Sequence, residues 1–346
     1  MKKTLVFSIV ALSASLLTGC FGAKETEQTA AEPQIVNVYS FRQDFLIQPI
    51  LDKFTEETGI TTKVIFAKKG LIERIEREGK YSPADVVLTS DFNKLLQLKS
   101  EGLTQTFDMS VIESDVPAKY RDEQGHWTAL TKRARNIYAS KQNVTDQDIN
   151  YEDLASESFK GKICTRSGKH PYNLGLIASM VAHKGEAETK AWLQGVKDNL
   201  ARKPQGNDRA QVKAIKEGLC DVSLGNSYYF GKMLTNPEQK PWADAVNILF
   251  PNQSNRGSHI NVSGAVIAKY SPNKANGEKL IAFLASEKAQ QAYASLNMEY
   301  PVNPSVQPSE LVASWGEFKE DDIPLTEVAK HRTTALKLVD EVKYDL

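Results

Sequence analysis

Residues 35–66 read IVNVYSFRQDFLIQPILDKFTEETGITTKVIF, and this stretch decides the fold class. The β-branched run Ile35–Tyr39 predicts a strand, and apolar residues at helical spacing predict a helix over Phe45–Glu57 that ends at Thr58-Gly59. Thr61–Phe66 predicts the next strand. Because strands that alternate with helices at short spacing form parallel sheets covered by helices, an α/β fold follows.

The same alternation continues along a chain that is too long for one hydrophobic core. Further helices are predicted over Gly70–Glu78 and Phe92–Ser100, with a strand at Asp85–Thr89 between them. A chain of 346 residues usually forms about two domains. We therefore predict two doubly wound α/β lobes joined by crossover strands. The ligand cleft should lie between them, at the carboxyl ends of the strands.

The predicted crossings lie near Thr131–Ala134 and Asn261–Gly264, so each lobe is discontinuous in sequence. Residues 34–131 and 262–306 are assigned to an N-lobe. Residues 132–261 and 307–346 are assigned to a C-lobe.

The N-terminus is predicted to lie outside both lobes. Two lysines precede the apolar run Leu5–Leu17, which is too short to span a bilayer and has signal-peptide proportions. It ends in Leu17-Thr18-Gly19-Cys20, which resembles a bacterial lipobox, so we expect residues 1–19 to be removed and Cys20 to be lipidated. The alternative is an ordinary exported protein cleaved elsewhere. Residues 20–33 are polar and predict a flexible tether.

Composition and motifs narrow the possible functions. The chain has 43 basic and 43 acidic residues, and this zero formal charge argues against a nucleic-acid partner. The sequence contains no H-E-x-x-H, G-x-S-x-G, P-loop or G-x-G-x-x-G motif. The metalloprotease, hydrolase and nucleotide-binding sites that those motifs mark are therefore not indicated.

Two cysteines remain once Cys20 is assigned to lipid. In an exported chain, Cys164 and Cys220 predict one disulfide, although two unrelated buried thiols are the alternative. Cys164 with His170 could also act as a nucleophile and its base, but a disulfide would consume that thiol.

Tyrosines follow both cysteines at the same offset. Tyr172 lies eight residues beyond Cys164, and Tyr228 lies eight residues beyond Cys220 and next to Tyr229. Gly225-Asn226-Ser227 predicts a strand exit and a helix start with Ser227 as the capping residue, so that both rings of the pair lean toward one cleft. If the cysteines are bridged on neighbouring strands, all three phenols converge there. The alternative is that these tyrosines merely pack near helix starts.

Three converging phenols favour a highly charged cation. A phenol with a pKa near 10 is a poor anion at neutral pH, but metal coordination stabilises its deprotonated form. Hard oxygen donors select hard cations, and three phenolates neutralise a trivalent ion, for which ferric iron is the available choice. Water or a small anion such as carbonate would complete the coordination.

An anion in the cleft needs positively charged donors. Arg42 follows the first strand, Arg166 follows the Cys164 strand, and Arg133 and Arg135 lie at a crossing between lobes. Surface solvation is the alternative for each arginine. Three further residues have weaker claims to the site: His170 as a ligand, His259 as a hinge or core residue, and Tyr39 as a side chain that reaches the cleft.

The chain resembles the bacterial periplasmic ferric-iron-binding proteins of ABC importers, which have a transferrin-like, two-lobed architecture. The specific signature is the tyrosine pair with an upstream tyrosine. The resembling segments are VYSFRQDFLIQPIL (38–51), ADVVLTSD (84–91), LTKRARNIYAS (130–140), CTRSGKHPYNLGLIASM (164–180), PQGNDRAQVKAI (204–215), CDVSLGNSYYFGKML (220–234) and RGSHINVSGAVI (256–267).

This resemblance implies a type II-like periplasmic binding fold and iron ligation by Tyr172, Tyr228 and Tyr229. Several members of the family carry an additional ligand after the first strand, where this chain has Arg42-Gln43-Asp44, so no N-lobe ligand is expected. A carbonate or bicarbonate ion would then complete the site. The expected anion or cleft contacts are Arg42, Gln43, Arg135 and Arg166.

The resemblance also implies the partners. We expect a monomer, anchored through Cys20 on the periplasmic side of the cell envelope, that delivers ferric iron to a permease and its ATPase. Two alternatives remain open: a binding protein for an organic anion or polyamine, and an exported cysteine-dependent hydrolase or transferase.

Overall fold

The computed structural model describes residues 34–346. The predicted signal peptide, lipidated Cys20 and tether therefore lie outside the described residues. Within 34–346, none of the helices combines the length and the apolar character needed to cross a membrane.

The N-lobe begins with alternating strands and helices, as predicted. β1 lies between β2 and β3 and pairs with both in parallel. Gly59, with φ of 71°, ends α1 in the left-handed conformation. The elements are β1 (Ile35–Ser40), α1 (Asp44–Thr58), β2 (Thr61–Phe66), α2 (Leu71–Glu78), β3 (Val86–Thr89), α3 (Phe92–Ser100) and β4 (Thr104–Gln105).

The chain then enters the C-lobe through one long strand. The elements are β5 (Thr128–Ser140), β6 (Ile163–Cys164), α4 (Pro171–Asp198), α5 (Asp208–Lys216), β7 (Val222–Asn226), α6 (Tyr228–Leu234), α7 (Lys240–Ala243) and β8 (Val246–Leu249).

The chain returns to the N-lobe and ends on the C-lobe. The elements are β9 (Ile260–Ala268), α8 (Lys274–Ala285), α9 (Glu287–Asn297), β10 (Tyr300–Pro301), α10 (Glu310–Ala313), α11 (Leu325–Lys330) and α12 (Arg332–Glu341).

Two antiparallel strands, β5 and β9, join the lobes. One end of β5 pairs with β9, which pairs in turn with β3, and the other end of β5 pairs with β7 and β8. Both predicted crossings lie within these two strands. The fold class of two α/β lobes with crossover strands is confirmed, whereas the residue limits of the lobes stay a prediction.

Separate hydrophobic cores support this division. One cluster gathers buried residues of β1, β3, β9 and the helices α1, α3 and α8. Two others lie beyond the crossing: one packs α4 and α12 against β5 and β7, and one surrounds Cys164 and Cys220. Each side of the crossing strands therefore has its own hydrophobic packing.

Two helical predictions differ in detail from the structure. The helices predicted over Tyr172–His183 and Glu186–Asn199 are the two segments of α4, with a kink at Gly185 (φ 79°, ψ 170°). The single helix predicted over Leu325–Val342 is instead divided at His331 (φ −95°, ψ 4°) into α11 and α12. Apolar periodicity continues across such breaks, so it does not mark them.

Cys164 and Cys220 form the predicted disulfide. Their Cα atoms lie 5.8 Å apart, and β6 and β7 are parallel neighbours with Cys164 in register with Ser223. The bridge thus joins the two segments that lead to the predicted tyrosine ligands.

Replacement of both cysteines by alanine should lower the free energy of unfolding by about 2–4 kcal/mol, because the unfolded chain regains the entropy that the bridge removes. The bridge spans a sequence separation of 56 residues. Urea unfolding of the oxidised protein and the variant measures the difference. Equal unfolding free energies would contradict a stabilising role for this disulfide.

Candidate metal centre

The tyrosine pair lies in the first turn of α6, immediately beyond the end of β7. The ring centroids of Tyr228 and Tyr229 are 4.1 Å apart, so the two phenols are neighbours, as predicted. Ser227 occupies the N-cap position of α6, as predicted, but it has helical φ and ψ (−54°, −41°) and makes no side-chain capping bond within the described residues. Its hydroxyl instead accepts a hydrogen bond from the Ala134 N–H of β5 at 3.2 Å, which ties α6 to the crossing strand.

Tyr172 joins this pair from the start of α4. Its hydroxyl oxygen lies 3.4 Å from that of Tyr228. His170 is not placed as a ligand, because its Nδ1 accepts the Tyr172 N–H at 3.2 Å and so caps α4. Burial and the nearby Arg166 guanidinium lower the pKa of His170 to about 4, so this ring is neutral at physiological pH. The structure thus brings together all three predicted phenols.

The phenols face a cavity of about 420 Å³ between the lobes. From the N-lobe, Arg42 and Gln43 line this cavity, and their role as anion or cleft contacts stays a prediction. The full lining is Phe41, Arg42, Gln43, Phe45, Leu46, Ser90, Arg133, Tyr172, Arg209, Tyr228, Tyr229, Lys232, Thr235, Asn236, Asn297 and Glu299.

Burial keeps the tyrosine pair protonated in the absence of a cation. It raises the pKa of Tyr228 well above its ordinary value, and the neighbouring Tyr172 and Tyr229 phenols add to the increase. Burial, followed by the effect of Tyr172, raises the pKa of Tyr229 to about 12. A ligand that uses these oxygens as anions must therefore displace their protons, which a metal cation can do.

A buried ionic network lies behind the phenols and is centred on Asp208, the first residue of α5. Its carboxylate accepts from Arg135 Nη1 at 2.7 Å, from Arg166 Nη1 at 3.0 Å and from the Asn226 N–H at 3.0 Å. Burial alone would raise the pKa of Asp208, but the two guanidinium groups hold it below its usual value.

This network sets the charge around Tyr172. Arg135 also donates to the side-chain oxygen of Asn173 at 2.6 Å. The guanidinium carbons of Arg133, Arg135 and Arg166 lie 6.0, 5.9 and 5.4 Å from the centroid of the Tyr172 ring. Arg135 and Arg166 thus lie beside the Tyr172 ring but are not among the residues that line the cavity, and their predicted role as anion or cleft contacts stays a prediction.

A second buried ion pair forms the floor of the cavity. Arg42 Nη2 contacts the Glu299 carboxylate at 2.6 Å, and both side chains are buried. Thr131 donates to the same carboxylate at 3.0 Å, and Arg133 Nη1 lies 3.7 Å from it. Although burial opposes its charge, Glu299 keeps a lowered pKa because of Arg42 and Arg133.

Sequence reasoning missed four residues of the site: Asp208, Arg209, Lys232 and Glu299. Lys232 follows Tyr228 by four residues and so lies on the same face of α6, which is a usable signal. Asp208 and Glu299 carry no local signal, because their partners come from distant parts of the chain.

Two weaker candidates lie away from the phenols. Tyr39 belongs to the N-lobe core, and its hydroxyl donates to Glu78 at 2.9 Å. His259 is buried at the crossing strands, where its backbone N–H donates to the Tyr151 hydroxyl at 3.2 Å. Burial lowers the pKa of His259 to about 4, in agreement with a neutral hinge or core residue.

Two α/β lobes with a side-chain-lined cleft at the crossing strands form a ligand-binding architecture. The family model described as bacterial extracellular solute-binding protein matches residues 82–316. Iron uptake protein A1 of Synechocystis sp. is 40% identical over 338 residues, which cover 96% of this chain and 94% of that protein.

Solved structures agree with this assignment. The apo ferric ion-binding protein A of Pasteurella haemolytica has 53% sequence identity and a TM-score of 0.86, covering 90% of this chain and 99% of that one. A Trichodesmium protein solved in complex with iron and citrate ligands has 38% identity, the same TM-score of 0.86, and coverage of 90% and 99%. The chain belongs to the bacterial extracellular solute-binding protein family, in the branch that contains these iron proteins.

It is therefore a solute-binding protein and not an enzyme. The cysteine-dependent hydrolase or transferase considered above also loses its nucleophile, because Cys164 is bonded to Cys220.

Replacement of Asp208 by asparagine should lower the free energy of unfolding by about 3–5 kcal/mol, because two buried guanidinium groups lose their counter-charge. The folded-state pKa of Asp208 lies below the unfolded value of about 3.9, so the carboxylate stabilises the fold above about pH 4. That contribution is lost as the pH falls further. Urea unfolding from pH 7 to pH 3 should therefore show a difference in unfolding free energy between wild type and variant that decreases as the pH falls.

Asp198→Asn supplies the control, because Asp198 is an exposed carboxylate at the end of α4. We expect this variant to unfold like the wild type at every pH. If the difference in unfolding free energy between wild type and Asp208→Asn stayed constant with pH, the electrostatic origin of the destabilisation would be contradicted.

Proposed function

We propose that this protein is the ferric-iron-binding component of an ABC importer, and that Tyr172, Tyr228 and Tyr229 bind Fe³⁺ as phenolates. The observation that supports this most strongly is the convergence of three phenols in one cavity, with 3.4 Å between the Tyr172 and Tyr228 oxygens. Within the described residues, no group of three or more His, Cys, Asp or Glu side chains offers a rival metal site. The iron-binding names of the relatives support the same assignment.

The charges explain the preference for a trivalent ion. Phenolates are hard oxygen donors, and three of them balance the charge of Fe³⁺. Because burial raises the pKa values of Tyr228 and Tyr229, a weakly charged cation would displace their protons poorly. Iron uptake would accordingly release protons, and binding would weaken as the pH falls.

The remaining coordination positions would go to an anion such as carbonate or bicarbonate. After three phenolates have neutralised the iron, the lining still carries four cations, Arg42, Arg133, Arg209 and Lys232, against the single carboxylate of Glu299. The buried Nε atoms of Arg42 and Arg133 have no hydrogen-bond partner among the described residues. Both features favour a small anion beside the metal. We propose no iron ligand from the N-lobe, which would supply Arg42 and Gln43 to the anion.

A chelated form of iron is the second candidate ligand. The cavity is larger than one ion and one carbonate require, and a related protein binds iron together with citrate. An organic anion would then enter as part of the iron complex. A polyamine is disfavoured, because it would meet the four cations of the lining.

The partners follow from the family. We propose that the loaded, closed form delivers iron to a permease driven by its ATPase, and that the protein acts as a monomer on the periplasmic side of the membrane. Closure would proceed by bending of the crossing strands.

Purified protein loaded with ferric citrate should absorb visible light through phenolate-to-iron charge transfer. Tyr228→Phe/Tyr229→Phe should lose this band and weaken iron binding by more than about 100-fold, since even outer-shell partners of metal ligands are worth about 10–100-fold. Absorption spectra with metal analysis measure both effects.

Tyr81→Phe/Tyr270→Phe is the matched control, because both of these tyrosines are exposed and lie outside the cavity. This variant should keep the colour and the affinity. An uncoloured wild type that binds no iron, or unchanged binding in the Tyr228/Tyr229 variant, would exclude the proposed site.

Cys20→Ser should abolish incorporation of a labelled fatty acid into the protein, because the serine cannot carry a thioether-linked lipid. Metabolic labelling followed by immunoprecipitation tests this. Equal labelling of wild type and variant, or no labelling of the wild type, would argue against the lipid anchor at Cys20.

A further inference from the structure

Helix α6 carries more than the tyrosine pair: its next turn contacts the other lobe. Lys232 Nζ donates to the backbone carbonyl of Leu296 at 2.6 Å, and Leu296 belongs to the last turn of α9. Helix α9 packs against α1 and α8 of the N-lobe. The hydrogen bond therefore connects the lobe of the three phenols with the lobe opposite.

The geometry of the α9 end favours this contact. Met298 terminates α9 in the left-handed conformation (φ 58°), which is uncommon for a residue other than glycine. The carbonyl groups at a helix end carry partial negative charge and lack helical partners. A cationic donor is well suited to such a carbonyl, and the half-buried Lys232 supplies one.

Gly231 brings the two segments into close contact. A Cβ at this position would lie 2.7 Å from Cγ and 2.8 Å from Cβ of Met298, well inside normal contact distance. The glycine lies in the middle of α6, and no left-handed φ requires it there. The close approach of Met298 therefore explains why this position has no side chain.

The contacted segment, Leu296–Glu299, ends at the floor of the cavity. Glu299 follows Met298 directly and holds Arg42 at 2.6 Å. Leu296 and Met298 of this segment thus contact α6, the helix that begins with Tyr228. Glu299, at the end of the segment, belongs to the cavity wall.

We propose that Gly231 and Lys232, together with Leu296 and Met298, form an interlobe latch that keeps the lobes closed behind the bound ion. Lys232 is a positioning residue in this arrangement and not an iron ligand. Because the latch begins one turn beyond the phenols, movement of α6 during ligation is transmitted directly to the contact between lobes. Iron release would be limited by opening of the latch.

The measurement of iron release rests on the proposed function, whereas the measurement of lobe closure in the iron-free protein does not. The iron-free protein can be tested by small-angle X-ray scattering. Lys232→Met, which cannot donate to Leu296, should shift the iron-free protein toward its open form and give a larger radius of gyration than wild type, whereas Lys232→Arg should retain the wild-type value. Lys216→Met, at an exposed position on α5, is the control and should behave as wild type.

The iron-loaded protein supplies the second readout. Lys232→Met should release iron to a competing chelator about tenfold faster or more, the factor that corresponds to loss of one charge-assisted hydrogen bond. Its charge-transfer band should keep the wild-type position, because the phenolate set is unchanged. Lys232→Arg should restore slow release. A variant that had merely lost its fold would change both the release rate and the charge-transfer band. Faster release with an unchanged band therefore excludes a general loss of folding.

Gly231→Ala tests the same contact from the other side. Alanine is the better helix former, so α6 itself should not be weakened. The added methyl group should push against Met298, open the lobes and speed release, and Gly231→Ala/Met298→Ala should recover much of the wild-type behaviour. Failure of the double variant to recover would contradict the latch.

Lys232 could instead contact the bound anion, and the experiments separate the two roles. An anion contact predicts faster release that disappears in saturating bicarbonate, with no change in the iron-free scattering. That result would overturn the latch, as would unchanged scattering and release in both Lys232→Met and Gly231→Ala. Absence of iron binding in every protein would refute the proposed function alone, because the scattering comparison does not need iron.

Discussion

The site depends on one buried carboxylate, that of Asp208. It accepts hydrogen bonds from β5 through Arg135, from the loop after β6 through Arg166, and from the end of β7 through the Asn226 N–H. The last two segments lead directly to Tyr172 and to the Tyr228-Tyr229 pair. Arg135 is buried and Arg166 is largely buried, and without this counter-charge the two neighbouring guanidinium groups would be strongly destabilising. The carboxylate thus fixes the segments whose phenols must converge.

The resulting site is asymmetric between the lobes. All three phenols come from the C-lobe, where β6 and β7 are bridged by the disulfide. The N-lobe contributes charge, chiefly through Arg42 and its partner Glu299. Because the proposed iron ligands all come from the C-lobe, we expect ligation to begin on that lobe and closure of the N-lobe to complete the site.

The features that could be predicted from the sequence are those that depend on residues close together in the chain. Periodicity identified the α/β lobes, and the presence of two cysteines in an exported chain predicted the disulfide. The equal spacing of Tyr172 and Tyr228 from those cysteines then predicted that the tyrosines converge. The sequence did not predict the role of Ser227, whose hydroxyl is used by a strand 93 residues away. Nor did it find the Arg42–Glu299 pair, whose members are separated by 257 residues. Contacts of this kind arise from lobe assembly and leave no trace in local spacing.

The distribution of charge explains why an anion and closure belong together. In the proposed complex, three phenolates would cancel the charge of Fe³⁺, so the metal would not offset the cations that surround it. Glu299 compensates only part of the charge of Arg42, Arg133, Arg209 and Lys232, which line the same cavity. Closing the lobes on this excess would cost electrostatic energy in a medium of low dielectric constant. In the proposed complex, an anion that enters with the iron would remove this cost and favour the closed form, in which the charges of the site are largely balanced.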